Sequence, residues 1–309
     1  MSASDDSFVH DRRQVLALLG AGMGMSALGP TESAAAPTPV AAQDWQDPRT
    51  LLDSMLKLRS SLDARPVYMW LLGHRYLVMP DGRSLPLCSM SNCSVTRSIR
   101  KSDQSAELTV LEYNYNTDFE TREWRDTLVM PITGRAVPTP QGRAETAKHE
   151  WRLRYAYEGR MDDAHEFSAA ALERYGADAQ LTIDRKIHPP DILGDEIAFT
   201  QDWYLRVAPT DPGKRGWWVR EVSTVRGALR DVVDRRQQYV PSRTSYSIVY
   251  DVQPWMQLDG VGGYVLTTAV GGKATRAGDL PEGIRRLMAQ RNPESLGDPE
   301  ALLKSGTGT

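Results

Sequence analysis

A two-residue alternation of large apolar and charged side chains constrains this chain more than any other feature of its sequence. In the segment 150–158, large side chains at the odd positions alternate with mostly charged ones at the even positions. Successive side chains of a β-strand point to opposite faces of a sheet, so this rhythm gives one apolar and one polar face. Such a pattern is typical of half-buried antiparallel strands. The odd positions are Trp151, Leu153, Tyr155 and Tyr157.

The same rhythm, combined with β-branched and aromatic residues, predicts further strands that are separated by turn signals. A turn at Asp81 and Gly82 closes a hairpin, and the polar loop 117–121 joins two more strands. About ten strands at this spacing predict a mainly β domain with an antiparallel, barrel-like or strongly curved sheet. Besides 150–158, the predicted strands are 67–79, 85–88, 107–116, 124–130, 180–187, 203–207, 217–222, 246–252 and 264–270.

Helical patterns are few. Residues 48–59 place their apolar side chains on one stripe, as an amphipathic helix does. Residues 281–290 carry a proline in the first turn, where a helix tolerates it. The segments 164–175 and 227–238 predict two more helices. We therefore expect a few short helices at the periphery of the sheet.

The amino-terminal 42 residues have the features of an export signal. Arg12 and Arg13 precede a weakly apolar run, residues 15–28, which is too short to span a bilayer. Small residues at positions 40–42 then offer a cleavage site. A paired arginine in this position is typical of the twin-arginine route. The sequence thus predicts a signal peptide over 1–42, the twin-arginine export machinery as a partner, and a periplasmic location.

The remaining residues, 43–309, are predicted to form a single β-rich domain that ends in a mobile tail, 304–309. They contain 35 basic and 36 acidic residues. This balance provides no basic surface for nucleic acid, which we do not expect as a partner. No second apolar run approaches the ~20 residues that cross a membrane, so we expect no stable membrane insertion after cleavage.

The two cysteines, Cys88 and Cys93, are separated by four residues. An oxidising compartment would allow them to pair across a tight loop, subject to strict geometry. Folding in the reducing cytoplasm before export favours two buried thiols instead. Both alternatives are open from the sequence. The spacing does not match a zinc site.

Six short motifs, spread over most of the residues after the leader, form a combined signature. The central motif, 112–121, has the sequence Glu-Tyr-Asn-Tyr-Asn-Thr-Asp-Phe-Glu-Thr. Together the motifs resemble a family of bacterial proteins that are exported by the twin-arginine route and classed as a domain of unknown function. The resemblance implies an exported protein, and it implies no activity, catalytic residue or cofactor. Met130 and Ile132 depart from the family pattern, which has Asn and an aromatic residue there. The other motifs are 68–73, 130–134, 254–256, 271–273 and 280–281.

The sequence contains no motif for a resident cofactor. It has no Gly-rich phosphate loop between a strand and a helix, no Cys-x-x-Cys-His for haem and no His-Glu-x-x-His for zinc. The glycines in 260–263 precede a strand and predict a turn. Asp163 and His165 are too few ligands to define a metal site. We therefore expect no cofactor and no metal.

Three polar residues within predicted strands are candidate catalytic groups. His74 interrupts the apolar strand 67–79, where burial of an imidazole costs about 1–3 kcal/mol unless it finds a partner. Glu112 lies inside its strand in the same way, and His149 extends the inward face of 150–158. A histidine and a carboxylate brought together could perform general acid–base chemistry. The alternative is that each is a polar group satisfied within the core.

Most of the aromatic residues carry a polar group on the ring. The chain has twelve tyrosines and eight tryptophans against four phenylalanines. Such rings can line a wet cavity and hold an apolar or aromatic small molecule while their N–H and O–H groups orient it. Equally, they can be ordinary core residues. The candidate ligand-binding residues are Tyr113, Tyr115, Trp151, Tyr155 and Trp203.

These features favour an extracytoplasmic protein that binds a small, largely apolar or aromatic molecule in a β cavity. The alternative is a cofactor-independent lyase, isomerase or hydrolase acting on such a molecule, with His74 or His149 as base and Glu112 as acid or orienting group. A third alternative is a structural or partner-binding envelope protein without a pocket. A histidine within hydrogen-bond reach of Glu112 would favour the enzyme.

Overall fold

The structure is a computed structural model, and it describes residues 44–140, 144–153, 161–165, 179–211, 213, 216–258 and 260–305. For 144–153 and 161–165 it describes the backbone. The predicted signal peptide, Tyr155 and most of the predicted helix 164–175 lie outside the described residues. The described elements belong to one compact unit.

Within the described residues, eleven antiparallel strands form one sheet and two more form a small separate sheet, β4–β5. The strands are β1 (Val67–Val78), β2 (Ser84–Arg100), β3 (Ser105–Thr117), β4 (Thr127–Val129), β5 (Ala136–Pro138), β6 (Ala144–Leu153), β7 (Met161–His165), β8 (Gln180–Ile187), β9 (Asp191–Leu193), β10 (Glu196–Ala208), β11 (Trp217–Ala228), β12 (Arg243–Asp251) and β13 (Tyr264–Ala274).

The large sheet is strongly curved. Its order is β7-β6-β3-β2-β1-β13-β12-β11-β10-β8, with β9 paired to β10. A flat sheet of ten strands would hold the first and last about 43 Å apart, at about 4.8 Å per step. Here Cα atoms of β7 and β8 lie within 8 Å of each other. The prediction of a mainly β chain with a strongly curved, barrel-like sheet is confirmed.

Short helices surround the sheet. Among the described residues these are α1 (Pro48–Arg59), α2 (Leu229–Val233), α3 (Glu282–Arg291), α4 (Pro299–Ser305) and three 3-10 turns, Pro254–Met256, Ala277–Asp279 and Pro293–Leu296. α1 begins after Asp47, whose carboxylate accepts a hydrogen bond from the backbone N–H of Thr50 at 2.9 Å. In the part of the chain that is described, no helix combines the length and the apolar character needed to cross a membrane.

α1 identifies the concave face of the sheet. Its apolar side chains share one core with residues of β3, β10 and β11. Strands β3 and β10 are six steps apart in the sheet, so both can contact the same helix only if the sheet curls around it. This face is therefore the concave one. The core includes Leu51, Leu52, Met55, Leu56, Leu58, Ala106, Leu108, Ile187, Ile197, Phe199 and Val225.

The opposite, convex face is covered over β1–β3 by the carboxy-terminal helices. α3 and α4 pack there on alternate residues of the three strands. This second core includes Tyr68, Cys93, Val95, Leu111, Tyr113, Tyr115, Ile284, Leu287, Met288, Leu302 and Leu303.

A third core closes the end of the concave face that lies away from α1. Residues at or beside the β4–β5 hairpin and the 3-10 turn Pro254–Met256 pack against six strands there. This core includes Leu77, Leu128, Met130, Val137, Leu205, Val219, Tyr250, Met256 and Val265. The concave face thus has an apolar core at each end.

Several predicted elements differ from the structure in their bounds. The predicted strand 85–88 is only the start of the 17-residue β2. The remainder of β2 is rich in Ser and Asn and therefore shows no apolar alternation. Its polar side chains can be buried because they find hydrogen-bond partners, as Ser98 does by donating to Ser60 at 2.8 Å. The predicted helix 227–238 is reduced to α2, because residues 227–228 still pair in β11.

Other differences lie near the chain segments that are only partly described. Residues 164–165, predicted to start a helix, end strand β7. Residues 304–305, predicted as part of a mobile tail, complete α4, and 306–309 lie outside the described residues. The predicted strand 124–130 shortens to β4. The glycines at 260–263 form the predicted turn, with Gly260 at φ +77° and Gly263 at φ +109°.

The first alternative for the cysteines, a disulfide across a tight loop, is wrong. Cys88 and Cys93 both lie in β2, an odd number of residues apart, so their side chains point to opposite faces of the sheet. Five residues of extended strand separate their Cα atoms by about 16 Å, far beyond the reach of a disulfide. Both thiols are free and buried, as the second alternative predicted.

We expect Gly271→Ala to destabilise the protein by about 1–3 kcal/mol, because the added methyl group forces packed backbone apart. A Cβ at this position of β13 would overlap the carbonyl oxygen of Trp70 in β1. Urea unfolding followed by tryptophan fluorescence measures the change. Gly278→Ala is the matched control, since no heavy atom lies within 4 Å of its Cβ position, and its effect should stay within about 0.5 kcal/mol. Equal effects of the two changes would contradict the close approach of β1 and β13.

A thiol-specific reagent at pH 8 should find no reactive thiol in the native protein and two after unfolding in guanidinium. Burial raises the pKa of Cys88 to about 11 and that of Cys93 to about 12, so the native thiolate population is small. Absorbance of the released chromophore counts the thiols. A count of zero after unfolding without reductant would mean that the cysteines are bridged.

Candidate ligand-binding site

A band of polar side chains crosses the concave face between its two apolar ends. It consists of two neighbouring rows of directly opposed residues, which we call the polar band. In the first row the polar residues come from β3, β12, β11 and β10, and Met90, Gly73 and Ala269 lie between those of β3 and β12. In the second row they come from β1, β13, β11, β10 and β8, and Ile248 of β12 lies between those of β13 and β11. The rows are Asn116, Tyr246, Ser223 and Gln201, and Arg75, Thr267, Glu221, Trp203 and Arg185.

Arg75 is the buried charge on the β1 side of the band. It donates to the side-chain oxygen of Asn114 at 3.1 Å and also to that of Asn116. Burial acts to lower the pKa of Arg75, but the neighbouring groups, led by Tyr250 and Cys88, raise it above its ordinary value. The guanidinium therefore remains charged although only 8% of the residue is exposed.

Arg59 enters the band from α1, as the last residue of that helix. Its Nη2 donates to Ser223 Oγ at 3.0 Å. Burial lowers the pKa of Arg59 to about 10; among its neighbours Glu221 and Tyr246 oppose this shift, and Arg185 adds to it. The side chains of these four residues therefore share one electrostatic environment on the concave face.

Glu112 lies on the same face, at one edge of the polar band. Its Oε1 accepts a hydrogen bond from Asn92 Nδ2 at 2.6 Å. Glu112 is half-buried, and it contributes to holding the pKa of Arg75 up. It thus acts as a local negative charge near the buried guanidinium.

The β8–β10 side of the band carries the aromatic residues. The guanidinium carbon of Arg185 lies 5.3 Å from the ring centroid of Trp203, a cation–π arrangement. Trp203 pairs across the ladder with Glu221, and Trp217 lies further along β11 on the same face. Both indole rings are half-buried.

The side chains at the centre of the concave face are incompletely buried. Inward side chains of a closed core are fully buried, whereas several here keep part of their surface accessible. A small cavity beneath α1, lined by Arg59, Phe199 and Gln201 among others, leaves about 10 Å³ for the centre of a water molecule, room for about one. The half-buried inward residues are Met69, Leu71, Glu112, Asn114, Trp203, Trp217, Glu221, Tyr246 and Ile248.

Buried polar atoms without a hydrogen-bond partner also concentrate on this face. Six such side-chain atoms among the described residues point from its strands. Leaving such an atom unsatisfied costs about 1–3 kcal/mol, so a cluster of them is a common mark of a functional site. They are Arg75 Nε, Gln201 Oε1, Trp203 Nε1, Trp217 Nε1, Thr244 Oγ1 and Thr267 Oγ1.

Two predicted ligand-binding residues, Tyr113 and Tyr115, lie on the other side of the sheet. Both are fully buried in the core between the convex face and α3. The hydroxyl of Tyr115 donates to Asn292 Oδ1 at 3.0 Å, and burial raises the pKa of Tyr113 to about 12. The structure therefore separates these two rings from Trp203.

For His149 and Trp151 the structure gives the register of the backbone. His149 pairs with Leu108 on one side and His165 on the other. Trp151 pairs with Ala106 and Asp163 in the same way. Position 149 is four residues along the ladder from the position opposite Glu112, about 13 Å. Tyr155 lies outside the described residues.

His74 belongs to a separate network on the convex face. Ser89 Oγ donates to the carbonyl oxygen of Phe119 at 2.9 Å, so the contact of Ser89 Oγ with His74 Nδ1 at 3.0 Å uses the proton of the imidazole. Arg122 Nη2 can only donate, and it contacts Nε2 at 2.9 Å. The network therefore requires a neutral imidazole with its proton on Nδ1.

The strand register keeps His74 and Glu112 apart. His74 is opposite Ser89, on the convex side, whereas Glu112 is opposite Ser94, on the concave side. The two side chains thus lie on opposite faces of the sheet and do not form an acid–base pair. Among the described residues, no group of three or more His, Cys, Asp and Glu side chains is placed to hold a metal ion.

The sequence reasoning missed the arginines and amides of the polar band. A signal for them exists in the alternation of Asn114 and Asn116 with Tyr113 and Tyr115. The pattern separates two faces, but it does not say which face is concave. Arg59 gave no signal, because a basic residue in the last turn of a helix is common on any surface.

No protein-family model and no curated protein matches the chain. Among solved structures, a LolA superfamily protein from Nitrosomonas europaea is similar to it at a TM-score of 0.18 and 9% sequence identity. The match covers 77% of this chain and 96% of that one. At this score the likeness assigns neither fold nor ligand.

We expect the free energy of unfolding to fall below about pH 6.5 in a way that depends on His74. Burial, and then Arg122, lower the pKa of His74 from its ordinary value of 6.5. The unfolded chain therefore takes up this proton first, and the stabilisation present above pH 6.5 is lost as the pH falls towards the folded-state pKa. Urea unfolding at pH 7.5 and pH 5.5 measures the loss.

The variant His74→Gln should lose less stability between these two pH values than the wild type. The exposed His188→Gln is the control and should behave as the wild type does. An unchanged pH dependence in His74→Gln would show that the imidazole is not held in its neutral form.

Proposed function

We propose that this protein binds a small molecule with a largely apolar or aromatic body on the concave face of its curved sheet, and that it does so outside the cytoplasm. The observation that carries the proposal is the half-buried middle of that face. Between two closed apolar cores, the inward side chains keep accessible surface and several buried polar atoms have no partner among the described residues. A ligand site combines these two properties.

The apolar part of the ligand has suitable neighbours on this face. Ile248 and Trp203 belong to the second row, and Trp217 lies beside it. Their partial exposure leaves apolar surface that a bound molecule can cover, at about 25 cal/mol per Å². The indole N–H groups of the two tryptophans can orient polar atoms of the same molecule.

Binding is better supported than acid–base catalysis. Catalysis by a His/Glu pair needs the two groups within hydrogen-bond reach of one substrate. Glu112 lies on the concave face, whereas His74 is engaged by Ser89 and Arg122 on the convex one. The extracytoplasmic location rests on the paired arginines 12 and 13 and the small residues at 40–42.

Binding of N-phenyl-1-naphthylamine, a neutral aromatic probe, should be saturable and should depend on Trp217. We expect Trp217→Leu to weaken it about two- to tenfold, since an aromatic contact contributes about 0.5–1.5 kcal/mol beyond its area. Fluorescence titration of the probe gives the dissociation constants.

Trp218→Leu is the matched control, because Trp218 is the next residue of β11 and lies on the convex face opposite Arg206. Its affinity should equal that of the wild type. If both variants bind equally well, or the wild type shows no saturable binding, the concave face is not the site. Native mass spectrometry of the protein exported from its own host would identify a retained molecule.

A further inference from the structure

The concave face provides more than apolar surface, because it also carries charged side chains. Among those that the structure describes in and beside the polar band are three arginines and two carboxylates, Arg59, Arg75, Arg185, Glu112 and Glu221. Glu221 is the strongest charge acting on Arg59, and Glu112 is held by the amide of Asn92. Among the described side chains of the polar band, the arginines therefore outnumber the carboxylates.

Arg75 is an arginine whose described hydrogen bonds involve no carboxylate. The two side chains that it contacts, Asn114 and Asn116, present neutral amide oxygens. Within the described residues no carboxylate oxygen lies within 4.0 Å of its guanidinium nitrogens. A buried charge of this kind is costly unless an opposite charge approaches it.

Thr267 stands directly opposite Arg75 on the neighbouring strand β13. Its hydroxyl is fully buried, and neither it nor Arg75 Nε has a hydrogen-bond partner among the described residues. The guanidinium N–H can only donate, and a hydroxyl can donate as well as accept. Two donors without a described partner, on facing residues of neighbouring strands and one of them on a guanidinium, match the oxygens of an anion.

The next positions along the same row are suited to the rest of such a molecule. Thr267 pairs with Ile248, which pairs with Glu221 and then with Trp203. The row therefore passes from a cationic end at β1 to an apolar residue, then to the carboxylate of Glu221 and to an aromatic ring. The cationic end and the apolar residue beside it suit an organic anion with an apolar or aromatic body.

We propose that Arg75 and Thr267 form a subsite for the anionic group of the ligand, a carboxylate or a sulfonate, while its apolar body lies along Ile248 towards Trp203. This proposal rests on the proposed function, since it assigns the chemical class of molecule that the same face binds. No bond is made or broken; the anion accepts hydrogen bonds from Arg75 Nε and Thr267 Oγ.

A matched pair of probes tests the subsite. 8-Anilino-1-naphthalenesulfonate and N-phenyl-1-naphthylamine share one ring system, and only the first carries an anionic group. The wild type should bind the sulfonate about tenfold more tightly than the neutral amine, in line with a charge-assisted hydrogen bond. Fluorescence titrations at equal ionic strength give both dissociation constants.

Two variants locate the preference. Arg75→Gln should abolish it while the neutral amine still binds, and Thr267→Val should reduce it about threefold. Thr267→Val keeps the shape of the side chain and removes a hydroxyl without a described partner, so it should fold even if Arg75→Gln does not. Arg206→Gln, an exposed arginine on the convex side of β10, is the control and should leave the preference intact.

The outcomes separate the two proposals. Saturable binding of both probes with equal affinity, unchanged in Thr267→Val, would overturn the anionic subsite and leave ligand binding in place. The absence of saturable binding for either probe would overturn both. A preference for the sulfonate that Thr267→Val and Arg75→Gln both retain would place the anion elsewhere and overturn the assignment.

Discussion

The packing of α1 against strands from both halves of the sheet is the contact on which the rest of the structure depends. Each fully buried leucine of this helix contributes about 1.5–3 kcal/mol, so its apolar stripe is comparable with the whole stability of a typical domain. The end of α1 is also fixed by charge: Lys57 Nζ donates to the carbonyl oxygens of Val232 and Asp234 at 2.7 and 2.8 Å, and Lys273 Nζ to that of Ser60 at 2.8 Å. Because the helix ends there, Arg59 is delivered to the concave face. The packing of α1 thus accounts both for the curvature of the sheet and for the position of Arg59 in the polar band.

This architecture reverses the usual relation between polarity and burial on β3. In the series from Glu112 to Asn116, the polar residues face the inside of the curved sheet and the tyrosines face out. The reason is that α3 and α4 cover the convex face, so the tyrosines complete a core there. The concave face can then hold charged and amide groups, provided that they bond to one another or to a ligand. The orphaned atoms of the polar band are the part of this arrangement that the described side chains leave unsatisfied.

The same reversal explains how much the sequence could predict. Alternation identified the strands, the curved antiparallel class and the peripheral helices, since these depend on local pattern alone. It could not assign faces, because a sheet covered on both sides no longer has one polar and one apolar side, and so Tyr113 and Tyr115 were expected beside Trp203. It also missed the length of β2, in which Ser89, Asn92 and Ser98 are buried with hydrogen-bond partners outside the strand. Arg75 and Thr267 lie opposite each other only through the register of β1 and β13, which no local pattern encodes.

The neighbours His74 and Arg75 show how one strand serves two purposes without mixing them. The side chain of His74 points to the convex side. There the imidazole contacts Arg122 of the loop directly, and Ser89 connects it to the carbonyl oxygen of Phe119. The guanidinium goes to the concave side, among the amides of β3. Protonation of His74 places two donors, Nε2–H and the Arg122 guanidinium, against each other, so the loop contact is the part that acid weakens. The charge of Arg75 does not change in the acidic range in which His74 titrates. The sheet separates the imidazole on its convex side from the guanidinium on its concave side.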